Sequence, residues 1–247
     1  MPDKIAIIAA MKREVRPLVR GRRWRKSTVV DTPYGCFESP SAVVVCAGIG
    51  SEAAYAAAEK VLAALRPRLV VSAGLAGALV PGLKVGQIFV PVSIVGSTNE
   101  ARINLSHGRG DGVLVSGSGI AGPHAKRLLA RQYGAQVVDM EAAHVAEVAQ
   151  RHGIPFVAVK AICDEWDFPM PDMEAFVSPE GRFQTVKFVL HTMVHPSQWK
   201  PVSRLAGNYS RAVQQLCRAL RNLLEHGSLE RRELVSRIAA GPKETRG

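Results

Sequence analysis

The feature that most constrains the fold is an alternation between short apolar runs and segments with helical spacing of apolar residues. The apolar runs, which suit buried strands, are Lys4–Ala9, Ala42–Cys46, Leu69–Ala73 and Phe156–Ile162. The segments typical of helices are Met11–Val19, Ser51–Leu65, Pro123–Gln132 and Glu141–Arg151. Strands that alternate with helices predict a mostly parallel central sheet that is covered on both faces.

Further short runs indicate that the sheet is mixed rather than purely parallel. They are Val29–Asp31, Gly35–Glu38, Gln87–Val95 and Gly112–Ser116. Apolar residues at helical spacing then predict a long helix over Arg204–Glu225. We therefore expect an α/β fold, with a single domain of mixed central sheet and flanking helices over residues 1–200. A C-terminal amphipathic helix and a polar tail follow over residues 201–247.

Composition restricts the class of protein. With 247 residues, 47% of them hydrophobic, the chain can bury a sizeable core. Gly and Pro interrupt its apolar runs before the roughly 18 residues that a membrane span needs. The beginning of the chain lacks the layout of a signal peptide, and the four cysteines are far apart. These features predict a cytoplasmic protein with reduced thiols, and neither a disulfide framework nor a metal site.

The net charge of +11 is concentrated near the two ends of the chain. Residues 1–26 hold nine Lys and Arg against two acids, and residues 200–247 hold ten against four. Such charge can steer anionic substrates or rest on an anionic membrane, or it can simply be a solvated surface. Aromatic residues do not interleave with the basic runs, so we expect no nucleic-acid partner.

A glycine loop, Gly48-Ile49-Gly50-Ser51, lies between an apolar strand and a helix. Free amides at a helix N-terminus suit a phosphate or the polar oxygens of a sugar. The loop also resembles a dinucleotide fingerprint, but the next strand ends without the acid that would hold a ribose. A plain tight turn is the third interpretation.

Four other segments carry residues suited to chemistry at strand ends. The small residues Gly74 to Gly77 would let backbone approach a ligand or would allow close packing of strand on helix. Glu141 could grip the vicinal hydroxyls of a ribose, or an acid of the Asp139-Met140-Glu141 run could cap the helix. Asp164 ends a buried strand and could be a general acid or a loop cap. Glu14, an acid in a basic stretch, could be catalytic or ion-paired on the surface.

The order of these signals resembles bacterial methylthioadenosine/S-adenosylhomocysteine nucleosidases and the wider purine nucleoside phosphorylase family. The matching stretches are Ile5–Val15, Ala47–Ser51, Ser72–Leu79, Leu83–Val90, Val115–Gly117, Val138–Ala143 and Ile154–Asp164. They span most of residues 4–167. The acid-Met-Glu element and the strand that ends in Asp are the specific parts.

The resemblance implies roles for individual residues. Glu141 would hold the ribose hydroxyls, with Met140 beside the sugar. Asp164 would protonate the departing purine at N7, and Glu14 would activate water. Gly48, Gly50 and residues 74–77 would lie where phosphate or the attacking water sits. Neither a metal nor an organic cofactor is implied, although phosphate is a candidate co-substrate, and a homo-oligomer is expected.

The chain departs from the family at the ligand-contacting positions. Leu75 replaces a hydroxyl of the phosphate loop, and Cys163 replaces the serine before the catalytic aspartate. In Ser118-Gly119-Ile120-Ala121, Ile120 stands where an aromatic residue would stack on adenine, with Ala121 beside it. These changes predict weaker or different contacts to the base.

The segment after Asp167 is similar to the C-terminal part of hopanoid-associated phosphorylases, which act on an adenosyl group attached to a large apolar lipid. Its apolar residues could line a pocket for an apolar 5′ substituent or form the core of a helical cap. They are Phe168, Met170, Phe176, Phe183, Phe188 and Met193. His191 and His195 are four residues apart without a carboxylate, as in ordinary helices.

Together these observations predict an enzyme that cleaves the bond between a purine, in particular adenine, and its ribose by phosphorolysis or hydrolysis. The 5′ substituent would be apolar or thio-linked, as in an adenosylhopane, methylthioadenosine or S-adenosylhomocysteine type of substrate. Two alternatives stay open at this point. One is a non-catalytic nucleoside-binding protein of the same fold, and the other is a dinucleotide-dependent oxidoreductase built on Gly48 and Gly50.

Overall fold

A computed structural model describes residues 4–98, 100–105, 110–170, 174–176, 184 and 199–225. The strands are β1 (Ile5–Ala9), β2 (Arg25–Lys26), β3 (Cys36–Glu38), β4 (Ala42–Cys46), β5 (Leu69–Ala78), β6 (Ile88–Phe89), β7 (Ser93–Gly96), β8 (Arg102–Asn104), β9 (Val113–Ser116), β10 (Val137–Asp139) and β11 (Phe156–Asp164). The helices are α1 (Lys12–Val19), α2 (Ser51–Leu65), α3 (Pro123–Tyr133), α4 (Ala142–Arg151) and α5 (Trp199–Glu225).

The strands form one mixed sheet in the order β2-β3-β4-β1-β5-β10-β9-β7-β8, with β11 paired to β5 and β6. The strands β4, β1, β5 and β11 run parallel to one another. The strand β10 runs antiparallel to β5, and β2 and β8 are antiparallel at the two edges. The predicted α/β fold with a mixed central sheet is confirmed.

Strand β5 is longer than the sequence predicts and determines where the site lies. Ala73 of β5 pairs with Ala9 at the end of β1, yet β5 continues to Ala78. Its second half pairs with β11 on one side and with the antiparallel β10 on the other. The predicted end of this strand at Ala73 is wrong, because neighbouring strands continue the ladder on both sides of residues 74–77.

Other boundaries also differ from the prediction. Val29–Asp31 is irregular, and the nearby two-residue strand β2 lies at Arg25–Lys26 instead. The predicted strand Gln87–Val95 is divided into β6 and β7, with Pro91 between them, since Pro cannot donate to a strand ladder. The short edge strand β8 was not predicted. The last helix begins five residues before Arg204, at Trp199.

Two layers of helices cover the sheet. Helices α2 and α4 pack on one face, and α1 and α5 pack on the other. The second half of α5 is part of the core through Leu216, Leu220 and Leu223, which are fully buried. The predicted polar tail, residues 227–247, lies outside the described residues. Across the described part of the chain, no helix combines the length and apolarity that a membrane crossing requires.

Candidate active site

A cavity of about 200 Å³ opens beside the second half of β5. Glu14, Glu141 and Asp164, which are far apart in the chain, all line it. Other residues singled out from the sequence also line it, among them Met140, Gly74, Leu75, Ile120 and Ala121. Gly48 and Gly50 are not part of its wall, although Ile49 between them is. The structure thus gathers the three acids in one concave site.

Glu141 faces the cavity because other groups cap the helix that it precedes. The Ala142 amide donates to Asp139 Oδ2 at 3.0 Å, and the Ala143 amide donates to Ser116 Oγ at 2.9 Å. The Ser116 hydroxyl in turn donates to Asp139 Oδ1 at 2.6 Å. Asp139 and Ser116 therefore satisfy the first amides of α4. This arrangement leaves the Glu141 carboxylate available for a ligand.

The glycine loop contacts Glu141 through its backbone. The Gly50 amide donates to Glu141 Oε1 at 3.0 Å, and Gly50 has a φ of 99°. A Cβ on Gly48 would lie 2.9 Å from the Tyr34 ring, so Gly48 allows close packing beside the loop. The Gly48 amide donates to the Ala10 carbonyl at 2.9 Å, so the amides of both glycines already have partners within the protein and are not open to a pyrophosphate. The dinucleotide interpretation loses its support.

Glu14 lies in the first turn of α1 and is only 3% exposed. Its Oε2 accepts a hydrogen bond from the Met11 amide at 3.2 Å. Burial, and next the carboxylate of Glu141, raise the pKa of Glu14 from 4.5 to about 7. A carboxyl group with this pKa exchanges a proton near neutral pH, as a general base must.

A buried lysine, Lys160 of β11, lies under the same end of the cavity. Its Nζ is 2.7 Å from Asp139 Oδ2 and donates to Ser72 Oγ at 3.1 Å. A Cβ placed on Gly74 would lie 3.5 Å from Lys160 Nζ and 3.9 Å from Glu14 Oε2. The missing side chain at Gly74 therefore leaves a small space between an ammonium group and a carboxyl group. Burial raises the pKa of Glu141, and the Asp139 carboxylate adds to the rise.

Asp164 is the last residue of β11 and is 3% exposed. Its Oδ1 accepts from Cys163 Sγ at 2.9 Å, and its Oδ2 forms an ion pair with Lys126 Nζ. A Cβ on Gly77 of β5 would come within 2.9 Å of Asp164 Oδ2 and 3.3 Å of Lys126 Cε. Gly77 thus provides the room in which the ion pair rests against the strand.

The remainder of the wall is mostly apolar. Met170, Leu205 and Tyr209 complete it, the last two from the first half of α5. Phe168 is buried with the Arg204 guanidinium over its ring, and it is not part of the wall. Phe176 is half-buried. Phe183, Phe188, Met193, His191 and His195 lie outside the described residues.

Several residues of the site were not found by sequence reasoning. Lys126, Lys160, Arg13 and Tyr209 have no motif that separates them from surface lysines or core aromatics. A lysine inside the apolar run Phe156–Ile162 was the strongest available signal, since an unpaired ammonium group is costly to bury. Lys126 had no such signal, because its helix carries other basic residues.

The four cysteines are free thiols in the structure. Within the described ranges, no group of three or more His, Cys, Asp or Glu side chains is arranged to hold a metal ion. The charged groups that line the cavity are carboxylates, Lys126 and Arg13. This set can hold hydroxyl groups, activate a small nucleophile and donate a proton.

Comparison with known proteins identifies the family. The sequence profile of the phosphorylase superfamily matches residues 4–111 and 97–182. The 5′-methylthioadenosine/S-adenosylhomocysteine nucleosidase of Shewanella oneidensis is 25% identical over 224 residues, covering 76% of this chain and 95% of that protein. The chain therefore belongs to the phosphorylase superfamily. It is an enzyme of the nucleoside phosphorylase and nucleosidase type, which cleaves an N-glycosidic bond.

Solved structures show the same fold. A crystal structure of an MTA/SAH nucleosidase superposes with a TM-score of 0.70 at 18% identity, covering 95% of this chain and 100% of that chain. A mutant MTAN of Helicobacter pylori, with 5′-methylthioadenosine in its active site, gives a TM-score of 0.60 at 22% identity. That match covers 78% of this chain and 99% of the other.

Proposed function

We propose that this enzyme hydrolyses the N-glycosidic bond of an adenine nucleoside that carries an apolar or thio-linked 5′ substituent. The observation that carries the proposal is the convergence of Glu14, Glu141 and Asp164 on one cavity. Each acid has different neighbours, and these neighbours suit three different tasks.

Glu141 is assigned the role of binding the sugar. Its carboxylate can accept hydrogen bonds from both vicinal hydroxyls of a ribose. Because Asp139 and Ser116 cap α4, Glu141 is not needed as the cap. Its two oxygens accept from the Gly50 and Met140 amides, which hold the carboxylate in place, and each oxygen has a further lone pair for a hydroxyl. Met140, in the wall beside it, offers an apolar contact to the sugar.

Water is assigned as the nucleophile, with Glu14 as the general base. The pKa of about 7 lets Glu14 accept a proton from water near neutral pH. The space over Gly74, between Glu14 and Lys160, can hold a water molecule. A phosphate dianion would meet the carboxylates of Glu14 and Glu141 there, and like charges at short range repel. Phosphorolysis is the second candidate, favoured by Arg13 in the wall.

The leaving base is assigned to the end of the cavity formed by Asp164, Lys126, Ile120 and Ala121. Protonation of the purine at N7 makes it a better leaving group, since the base then departs as a neutral molecule and not as an anion. Ile120 packs apolar surface against the ring instead of an aromatic stack.

The apolar wall supports an apolar 5′ substituent. Leu75, Met170 and Leu205 offer carbon surface that a charged or hydroxylated group would not use. A methylthio group, the thioether of S-adenosylhomocysteine or a lipid of the adenosylhopane type all present such surface. We infer the lipid from the resemblance of the sequence after Asp167 to hopanoid-associated phosphorylases, which is an expectation from sequence alone.

The reaction products test this proposal. The enzyme is incubated with 5′-methylthioadenosine and with an adenosine carrying a long alkyl 5′-thioether, each with and without inorganic phosphate. Chromatography should show adenine and a free sugar at equal rates in both conditions. If a sugar 1-phosphate forms when phosphate is present, the enzyme is a phosphorylase and not a hydrolase. Absence of adenine from both compounds would refute the proposed function.

The Glu141→Ala variant tests the assignment of the sugar. Hydrogen bonds to a charged group contribute about 1.5–3 kcal/mol, so kcat/KM on ribosides should fall roughly 10- to 100-fold. The preference of the wild type for ribosides over 2′-deoxyribosides should shrink in the same variant. Glu147→Ala, on the helix that Glu141 precedes but outside the cavity wall, is the matched control. Normal kinetics of Glu141→Ala on both kinds of sugar would contradict the role.

The homo-oligomer and the contact with an anionic membrane stay predictions. Some basic side chains of α5 already have protein partners. Arg221 donates to the Pro17 carbonyl at 2.6 Å, and Arg204 lies 3.6 Å from Glu165 Oε2.

A further inference from the structure

One side of α1 carries a stripe of exposed arginines. Arg13, Arg16 and Arg20 are spaced three and four residues apart, so they lie along the same side of the helix. Arg20, directly after the last residue of α1, keeps helical backbone dihedral angles. Val15 and Leu18 are buried against the core on the other side. At about 1.5 Å per residue, the stripe is about 10 Å long.

The positive charge continues beyond α1, and acids do not balance it. Residues 12–26 contain eight lysines and arginines, all exposed, and one acid, Glu14, which is buried. These eight basic residues form the basic face. Glu38 lies opposite Arg25 in the sheet, but Lys4 and Ser27 already contact its carboxylate. Among the described residues, no ion pair involves Arg16 or Arg20.

The basic face meets the apolar part of the cavity wall at Arg13. This arginine is exposed and also lines the cavity, so it lies at the opening. Its guanidinium is 5.1 Å from the centre of the Tyr209 ring. Tyr209 and Leu205, one turn apart on α5, are both in the cavity wall. The side of the cavity assigned to the 5′ substituent therefore opens beside a cluster of exposed positive charges.

An anionic membrane fits this surface better than a nucleic acid does. Trp24, the aromatic residue within residues 12–26, packs against the core and offers no stacking platform for bases. Anionic lipid headgroups attract clusters of about four to eight basic residues on an amphipathic helix. A membrane also holds molecules that carry large apolar groups. Positive charge and an apolar cavity wall at one place are thus both suited to a lipid surface.

We propose that the basic face binds an anionic membrane surface, and that the cavity takes from this surface a nucleoside whose 5′ substituent is anchored in the lipid. Because Val15 and Leu18 are buried in the protein, α1 rests on the headgroups without inserting. Electrostatic attraction is screened within about 8 Å at physiological salt, so a bound basic face places the cavity opening at the headgroups. Membrane binding is independent of the proposed function, whereas uptake of the substrate rests on it.

A matched pair of double variants tests membrane binding. Each basic residue at an anionic surface contributes about fivefold in affinity, so Arg16→Gln with Arg20→Gln should weaken binding roughly 30-fold. The control is Arg127→Gln with Arg131→Gln, since these arginines are also exposed and four residues apart, on α3, which packs on β9 and β10. The control should bind like the wild type.

Co-sedimentation with vesicles of equal parts phosphatidylcholine and phosphatidylglycerol provides the measurement. Wild-type binding should decrease as the salt concentration rises, because salt screens the attraction. Vesicles of phosphatidylcholine alone should not bind. Equal binding by the two double variants, or equal binding to charged and neutral vesicles, would overturn the proposal. Binding to a mixed-sequence RNA without binding to the charged vesicles would assign the basic face to a nucleic acid instead.

Two substrates test uptake from the membrane. The adenosine with a long alkyl 5′-thioether is incorporated into the charged vesicles, and 5′-methylthioadenosine is supplied in solution. Arg16→Gln with Arg20→Gln should release adenine from the vesicles roughly 30-fold more slowly at low enzyme and lipid concentration. Its rate on 5′-methylthioadenosine should stay within about twofold of the wild type. A structural defect would instead slow the release of adenine from both substrates.

The outcomes are distinct from those of the proposed function. Unchanged release from vesicles by the variant that no longer binds them would overturn uptake from the membrane. If the wild type releases adenine from neither substrate, the proposed function is refuted, and co-sedimentation still decides whether the basic face binds lipid. If adenine is released but the vesicles do not bind, only the inference about the membrane is refuted.

Discussion

The Asp164→Asn variant is expected to release adenine at least about a hundredfold more slowly than the wild type. The substitution keeps the size of the side chain but removes the negative charge that Lys126 contacts. It also removes a carboxylate that balances positive charge developing on the ribose. Both losses act on the transition state more than on the bound substrate, so kcat should fall more than KM rises.

Asp167→Asn is the matched control, since Asp167 is three residues further along the chain and exposed. Steady-state release of adenine from the 5′-substituted nucleosides provides the measurement for both variants. Adenine release at the wild-type rate in Asp164→Asn would remove Asp164 from the mechanism.

The Glu14→Gln variant should lose hydrolysis by about a hundredfold or more, because an amide cannot accept the proton of the attacking water. The same variant should be more stable than the wild type above pH 7. Glutamine keeps the shape and can still accept from the Met11 amide, but it does not have to ionise in a buried place.

The direction of the stability change follows from linkage. The pKa of Glu14 is raised from 4.5 to about 7 in the folded protein, so the folded state binds a proton that the unfolded chain has released. Wild-type stability therefore falls as pH rises from about 4.5 to 7 and stays lower above it. Across this pH interval the free energy of unfolding of the wild type falls by about 3 kcal/mol, at about 1.4 kcal/mol per pH unit.

Urea unfolding at pH 5 and pH 8 measures this difference, with exposed Glu52→Gln as the control. The difference in free energy of unfolding between Glu14→Gln and the wild type should be larger at pH 8 than at pH 5. The wild-type hydrolysis rate should rise through about pH 7 as Glu14 becomes ionised. A variant that hydrolyses normally, or one that gains no stability at pH 8, would contradict the environment assigned to Glu14.

The sequence predicts much of the fold because strands and helices have distinct apolar periods. It also allows Glu14, Glu141 and Asp164 to be proposed, since each follows or ends an apolar run and matches a family motif. Their convergence depends on the unexpected length of β5. The antiparallel β10 returns the chain so that Glu141 reaches the space beside Gly74.

Partners that are distant in the chain could not be predicted in this way. Lys126 and Asp164 are 38 residues apart and on different elements, and nothing local requires a lysine at that helix position. The choice between Asp139 and Glu141 as the helix cap was also open from sequence, because both flank the same helix start. Only the positions of the Ala142 and Ala143 amides decide it.

Strand β5 has a consequence for how such an enzyme can change. It hydrogen-bonds to three other strands, and both Gly74 and Gly77 lie on it. Insertion or deletion of one residue within it would turn every following side chain to the opposite face and shift both glycines together. We therefore expect new substrate preferences to arise by exchange of individual side chains on the surrounding helices and loops, and not by a change in the length of this strand.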